Sequence, residues 1–178
     1  MNRRNRAFTL VELLVVITII TLLVSLLVVM ISVIIDKARY AKTASTVKLL
    51  DEGCKTYRLD FGVYPPNDKN SSASLHQHLG VERKITTQRV DLGTPIVSTK
   101  PPIIDFQADM LQESKSIPDP VRSPVPIVDA FNNLIRYVNP GVYNKKTVDI
   151  WSPGKNGKDE YNESASDYDD VTNWAKDY

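Results

Sequence analysis

The sequence predicts an α+β protein in which a long N-terminal transmembrane helix packs on a small antiparallel β-sheet head. Three features predict it: a 23-residue uncharged run after Glu12, an apolar stripe at helical spacing that continues to Phe61, and two short β-rich segments near the C-terminus. The 178 residues are enough for one ordinary domain with a core. Bulk composition is average, with 42% hydrophobic and 24% charged residues and a formal net charge of +1. That balance lacks the basic excess of a nucleic-acid binder. The distribution is bipartite: hydrophobic residues crowd into the first 35 positions, and the 11 prolines begin only at Pro65. Cys54 is the single cysteine, which excludes an intramolecular disulfide and any cysteine-based metal site.

From Phe8 to Ile35 the chain reads FTLVELLVVITIITLLVSLLVVMISVII, with Glu12 its only charge. As a helix this segment is about 42 Å long at 1.5 Å per residue, more than the ~30 Å hydrocarbon core of a bilayer. Lipid leaves backbone groups no partner but one another, so a single span must be helical despite its many β-branched residues. Arg3, Arg4 and Arg6 precede the run, while Asp36, Lys37 and Arg39 follow it with little net charge. The positive-inside bias then places the N-terminus in the cytoplasm and the rest of the chain outside. A cleaved secretory signal fits poorly, because its apolar stretch is about 7–15 residues and ends at a small-x-small site. Glu12 allows two readings. Either it stays hydrated at the interface, or it needs a cation from another chain to offset the cost of a carboxylate in the membrane.

The segment RRNRAFTLVELLVV resembles the leader of type IV pilins and pseudopilins: a short basic leader, a small residue at the cut, Phe-Thr-Leu, and a glutamate fifth in the mature chain. The resemblance implies that a prepilin peptidase cuts between Ala7 and Phe8, that the new Phe8 amine is methylated, and that Glu12 pairs with the amine of a neighbouring subunit during assembly. Two opposite charges buried together relieve each other's desolvation. The family usually has glycine where this chain has Ala7, and often has a helix-breaking glycine and proline where this chain has Thr21 and Val29. A continuous helix is therefore expected.

Ala38, Ala41, Ala44, Val47, Leu50, Cys54, Tyr57 and Phe61 carry the helix on as an amphipathic stripe, which Gly62 and Pro65–Pro66 end. Cys54 lies on that stripe and reads as a small core residue. The segment KTYRLDFGVYPPN is similar to the stretch that leaves the helix in pseudopilins of type II secretion. Residues 62–128 form a loop-rich region, with a short helix starting at Ser71 or Ser72 and proline-rich stretches after it. His76 and His78 read as surface histidines, since residues two apart on a helix do not face one another.

Residues 129–178 are clearer. LIRYV (134–138) and TVDIW (147–151) flank NPGVYNKK and read as an antiparallel hairpin with a long loop. DAFNNLIRYVNPG, DIWSPGKNGKDE and DDVTNW together resemble the corresponding segments of the major pseudopilin (protein G) family of type II secretion systems. Between Trp151 and Tyr178 lie seven acids against three lysines. Oxygen donors in a glycine-containing loop suit a hard cation, although without EF-hand spacing composition alone favours a solvated acidic tail. The resemblance implies a structural Ca²⁺ here, with Pro153 (through its carbonyl), Asn156, Asp159, Asp169 and Asp170 as candidate ligands.

No nucleophile–base pairing, zinc spacing or phosphate loop emerges, so a non-enzymatic subunit is expected. The expected organisation is a leader (1–7), the long helix (8–61), the loop-rich region (62–128) and the hairpin with its acidic loop (129–178). Together these would form a pilin-like lollipop in the inner membrane, with a periplasmic head. The resemblance implies self-association into a periplasmic pseudopilus with other pseudopilins, powered by an ATPase through an inner-membrane platform protein. Two alternatives are a type IV pilin or competence pseudopilin, and a monomeric membrane-anchored calcium-binding module that leaves Glu12 dispensable and residues 1–7 attached.

Overall fold

The computed structural model describes residues 9–67, 71–88, 95–112, 124–160 and 169–174. The chain divides into two units, Met1–Ala38 and Arg39–Tyr178. Helix α1 (Leu10–Phe61) runs unbroken for 52 residues, as expected of a chain with Thr21 where a glycine would loosen the helix. Its N-terminal section forms the described part of the first unit, and every side chain described from Thr9 to Ile35 is exposed there. A helix apolar on all sides and exposed has a bilayer or a protein assembly as its natural surrounding. Thr18, Thr21 and Ser25 each return the hydroxyl to a backbone carbonyl three or four residues earlier, so these polar groups enter an apolar medium already satisfied.

In the second unit α1 supplies one wall of the core. Val47, Leu50, Cys54 and Tyr57 share the core with Leu75 and Leu79 of α2 (Ser71–Leu79), with Ile104 and Ile127 from extended segments, with Tyr137, Ile150 and Val171 of the sheet, and with Ile135 and Val148 just before its strands. Cys54 is fully buried, and burial pushes its thiol well above the usual range. The helix ends as the sequence indicates: Gly62, at φ +76°, donates its N–H to the Arg58 carbonyl at 2.8 Å.

Two antiparallel hairpins follow. Strands β1 (Arg83–Gln88) and β2 (Pro95–Lys100) pair with Arg83 opposite Lys100. Their sequence had read as loop. The anticipated C-terminal hairpin is present as β3 (Arg136–Val138) and β4 (Asp149–Ser152), with Tyr137 opposite Ile150, and β5 (Val171–Thr172) adds a third strand along β4. All four residues of β4 are buried, as befits the central strand of that sheet. The architecture is α+β, with the sheet and α1 sharing the core.

One expectation is corrected. His76 is buried, at 2% exposure, whereas the sequence had suggested a surface histidine. Extended segments flank α2 on both sides: Ser72 exchanges hydrogen bonds with Ile127, and the Leu79 carbonyl accepts from Ile103 and Ile104. His76 Nδ1 accepts from the Val125 N–H at 3.3 Å, and its ring lies 5.2 Å from that of Phe106. Burial holds its pKa below the ordinary histidine value.

Candidate functional site

At its N-terminus α1 closes on itself. Thr9 donates from its N–H (2.8 Å) and its hydroxyl (2.9 Å) to Glu12 Oε2, while the Glu12 N–H donates to Thr9 Oγ1 at 3.2 Å. This is a reciprocal capping box, in which N-cap and third-residue side chains satisfy each other's end of the helix. It places the only carboxylate of the apolar run at its outer end, in the most favourable position for the helix dipole. Ala7 and Phe8 lie outside the described residues.

The acidic loop is built on three supports. Asp129, buried to 3% exposure, accepts from the Phe131 and Asn133 N–H groups and from the Ser152 hydroxyl. Ser152 in turn accepts from the Gly154 N–H, and Asn133 Nδ2 donates to the Gly154 carbonyl at 2.6 Å. These bonds fix the turn that follows β4. The far side of the loop is then drawn in by Asp169, whose Oδ2 accepts from the Lys155 and Asn156 N–H groups at 2.8 and 3.0 Å and from the Tyr40 hydroxyl at 3.0 Å.

Within this frame Glu160, Asp169 and Asp170 bring carboxylate oxygens within 4.8 Å of one another. Asp170 is fully buried, and its Oδ2 accepts from the Glu160 N–H at 3.0 Å. Its pKa is pushed up to about 6, first by burial and then by the neighbouring charges of Asp169, Asp159 and Glu160, with the Glu160 N–H pulling the other way. Asp169 Oδ1 is enclosed and has no hydrogen-bond partner among the described residues. Such an oxygen normally carries a desolvation cost of a few kcal/mol. An enclosed carboxylate oxygen beside two further carboxylates is a donor set that a hard divalent cation fits.

The structure redistributes the anticipated ligands. Asp169 and Asp170 come together, and Pro153 is buried at the start of the turn. Glu160 joins them, although the sequence reading had passed over it. Asp159 faces elsewhere: its carboxylate accepts from Arg136 Nε at 3.2 Å and from Trp151 Nε1 at 3.1 Å. Asn156 acts inside the loop, accepting from the Lys158 N–H and donating to Glu160 Oε2. The acids at 163, 167 and 177 lie outside the described residues.

Comparison with known proteins bears on the N-terminus. Residues 2–28 match the family described as the prokaryotic N-terminal methylation motif. No curated protein and no solved structure matches the chain. The motif supports a type IV pilin-like protein, and it implies processing by a prepilin peptidase and pilus-type assembly. Among the described residues, one N-terminal helix is long and apolar enough to cross a bilayer, which is consistent with membrane anchoring.

Proposed function

We propose that this chain is a structural pseudopilin subunit of a type II secretion system, related to the major pseudopilin, and that it has no enzymatic role. After cleavage between Ala7 and Phe8 it would polymerise through α1 into a periplasmic filament that pushes folded proteins across the outer membrane. The observation that carries this reading is the methylation motif at the head of a continuous helix whose apolar N-terminal run carries one carboxylate, Glu12, at its outer end. An exposed apolar rod needs either lipid or sister helices around it, and transfer from one to the other is what filament assembly provides. Glu12 would bond the freed amine of the next subunit, each charge offsetting the other's desolvation.

The choice of secretion over adhesion, motility or DNA uptake rests on the C-terminal resemblance and on the acidic cluster. We assign a structural Ca²⁺ to Glu160, Asp169 and Asp170. Bound there, the ion would supply positive charge to carboxylates that otherwise repel, and so would close a loop too polar to fold by burial.

A second reading, the membrane-anchored monomer, is favoured by the Thr9–Glu12 capping box, which satisfies Glu12 without any partner chain. Intact mass of the chain purified from its own membranes separates the two. A species beginning at methylated Phe8 supports the subunit, and an uncut chain supports the anchored monomer. Deletion in the native host tests the secretion role: exported enzymes should accumulate in the periplasm while surface pili and DNA uptake are unaffected.

A further inference from the structure

Tyr40 stands outside the acidic loop, on the section of α1 that belongs to the second unit, yet it reaches the heart of the cluster. Its hydroxyl donates to Asp169 Oδ2 at 3.0 Å, across 129 positions of sequence. Its ring is fixed by Phe131, with centroids 4.8 Å apart, and Phe131 is in turn covered by the Arg39 guanidinium. Two backbone N–H groups share the same oxygen with Tyr40, so Oδ2 takes three hydrogen bonds while Oδ1 takes none among the described residues. The lopsided pattern sets the orientation of the carboxylate: one oxygen is committed to the protein and the other is left for something else.

We propose that Tyr40 is a positioning residue for the cation site, holding Asp169 so that Oδ1 is presented to the ion and tying the loaded loop to α1. This rests on the calcium reading above. Because the phenol donates to a charged oxygen, its bond also polarises the carboxylate without competing for the metal-facing oxygen. The ring and the hydroxyl do separable work, which makes the idea testable by conservative replacement.

The test uses the full-length chain in detergent micelles, with calcium binding measured by titration calorimetry and melting followed with Ca²⁺ and with chelator. Tyr40→Phe keeps the ring against Phe131 and removes only the hydroxyl. It should weaken calcium binding by about 5- to 10-fold, the worth of one ordinary hydrogen bond, and leave the chelated melting midpoint close to that of the parent chain. Tyr40→Leu removes ring and hydroxyl together and should lower the midpoint with or without calcium, its excess over Tyr40→Phe reporting the packing role. Equal calcium affinity in Tyr40→Phe and parent overturns the proposal, as does an equal loss of midpoint in both buffers. If the parent chain itself neither binds calcium nor responds to chelator, the calcium reading fails and takes this proposal with it.

Discussion

A Cβ on Gly154 would lie 2.2 Å from the carbonyl oxygen of Asp169, closer than any side-chain carbon sits to a backbone atom in a relaxed structure. Gly154 also holds φ at +59°, so two independent constraints require a residue without a side chain there. The turn after β4 and the strand entry at Asp169 can therefore approach only through this glycine. That approach lets Asp169 cap the Lys155 and Asn156 N–H groups.

Gly154→Ala is thus predicted to destabilise the protein by at least ~2 kcal/mol, from left-handed backbone strain and the contact with Asp169. The measurable result is a melting midpoint about 5–10 °C lower together with a loss of calcium response. Gly62→Ala serves as the comparison, since it has positive φ but open space around the Cβ position, and should cost only ~1 kcal/mol.

The acidic cluster predicts different outcomes for acids that sequence alone cannot rank. Glu160→Gln and Asp170→Asn should each abolish most of the calcium-dependent rise in melting midpoint. Asp170→Asn should leave the chelated midpoint unchanged or higher, because it removes a buried charge that its neighbours repel. Asp159→Asn should retain the calcium response and lose stability only through its contacts with Arg136 and Trp151.

His76 predicts a pH dependence. Its folded pKa is lowered by burial, so the folded state takes up a proton less readily than the unfolded chain. The stability that neutral His76 permits is fully present above its unfolded value, about 6.5, and is lost as pH falls through the folded value. Comparing the parent with His76→Gln between pH 7.5 and 5 isolates this contribution. The parent should lose more stability over that interval than the variant, and parallel profiles would remove His76 as a source of acid sensitivity.

Asn173 predicts a structural outcome. Its Nδ2 donates to Asp51 Oδ1 on α1 and to the Val148 carbonyl, and its Oδ1 accepts from the Ile150 N–H and from Asn144 Nδ2. Asn173→Ala leaves the buried Ile150 N–H without this partner, while the Val148 carbonyl keeps Asn144 Nδ2, at a cost of about 1–3 kcal/mol. Thermal melting should show it without any change in calcium affinity.

How much was legible in the sequence depended on whether the signal was local. The 23 uncharged residues after Glu12, the stripe through Val47, Leu50, Cys54 and Tyr57, and the stop at Gly62 are all periodic or compositional, and α1 follows them closely. The β3–β4 hairpin was readable because β-branched and aromatic residues flank a turn-forming loop. β1 and β2 were not, since RKITTQ is polar and PIVSTK opens on a proline, and neither sequence alternates apolar with polar residues. His76 was misjudged because segments distant in sequence, around Ile104 and Val125, cover α2. In the acidic loop, composition located the acids but not their arrangement: Asp159 is diverted by Arg136 and Trp151, and Glu160 takes a place in the cluster that only the folded turn reveals.

The central claim is that Glu12 exchanges its bonds with Thr9 for the freed amine of a sister chain when subunits assemble. Filament yield from Glu12→Gln, expressed with the assembly machinery and compared with the parent chain by electron microscopy, tests it most directly. The variant should still insert and be cut at Phe8, because those steps need only the leader and the apolar run, but it should form almost no filaments. Filaments at the parent's yield would contradict the claim and leave the anchored monomer as the better account.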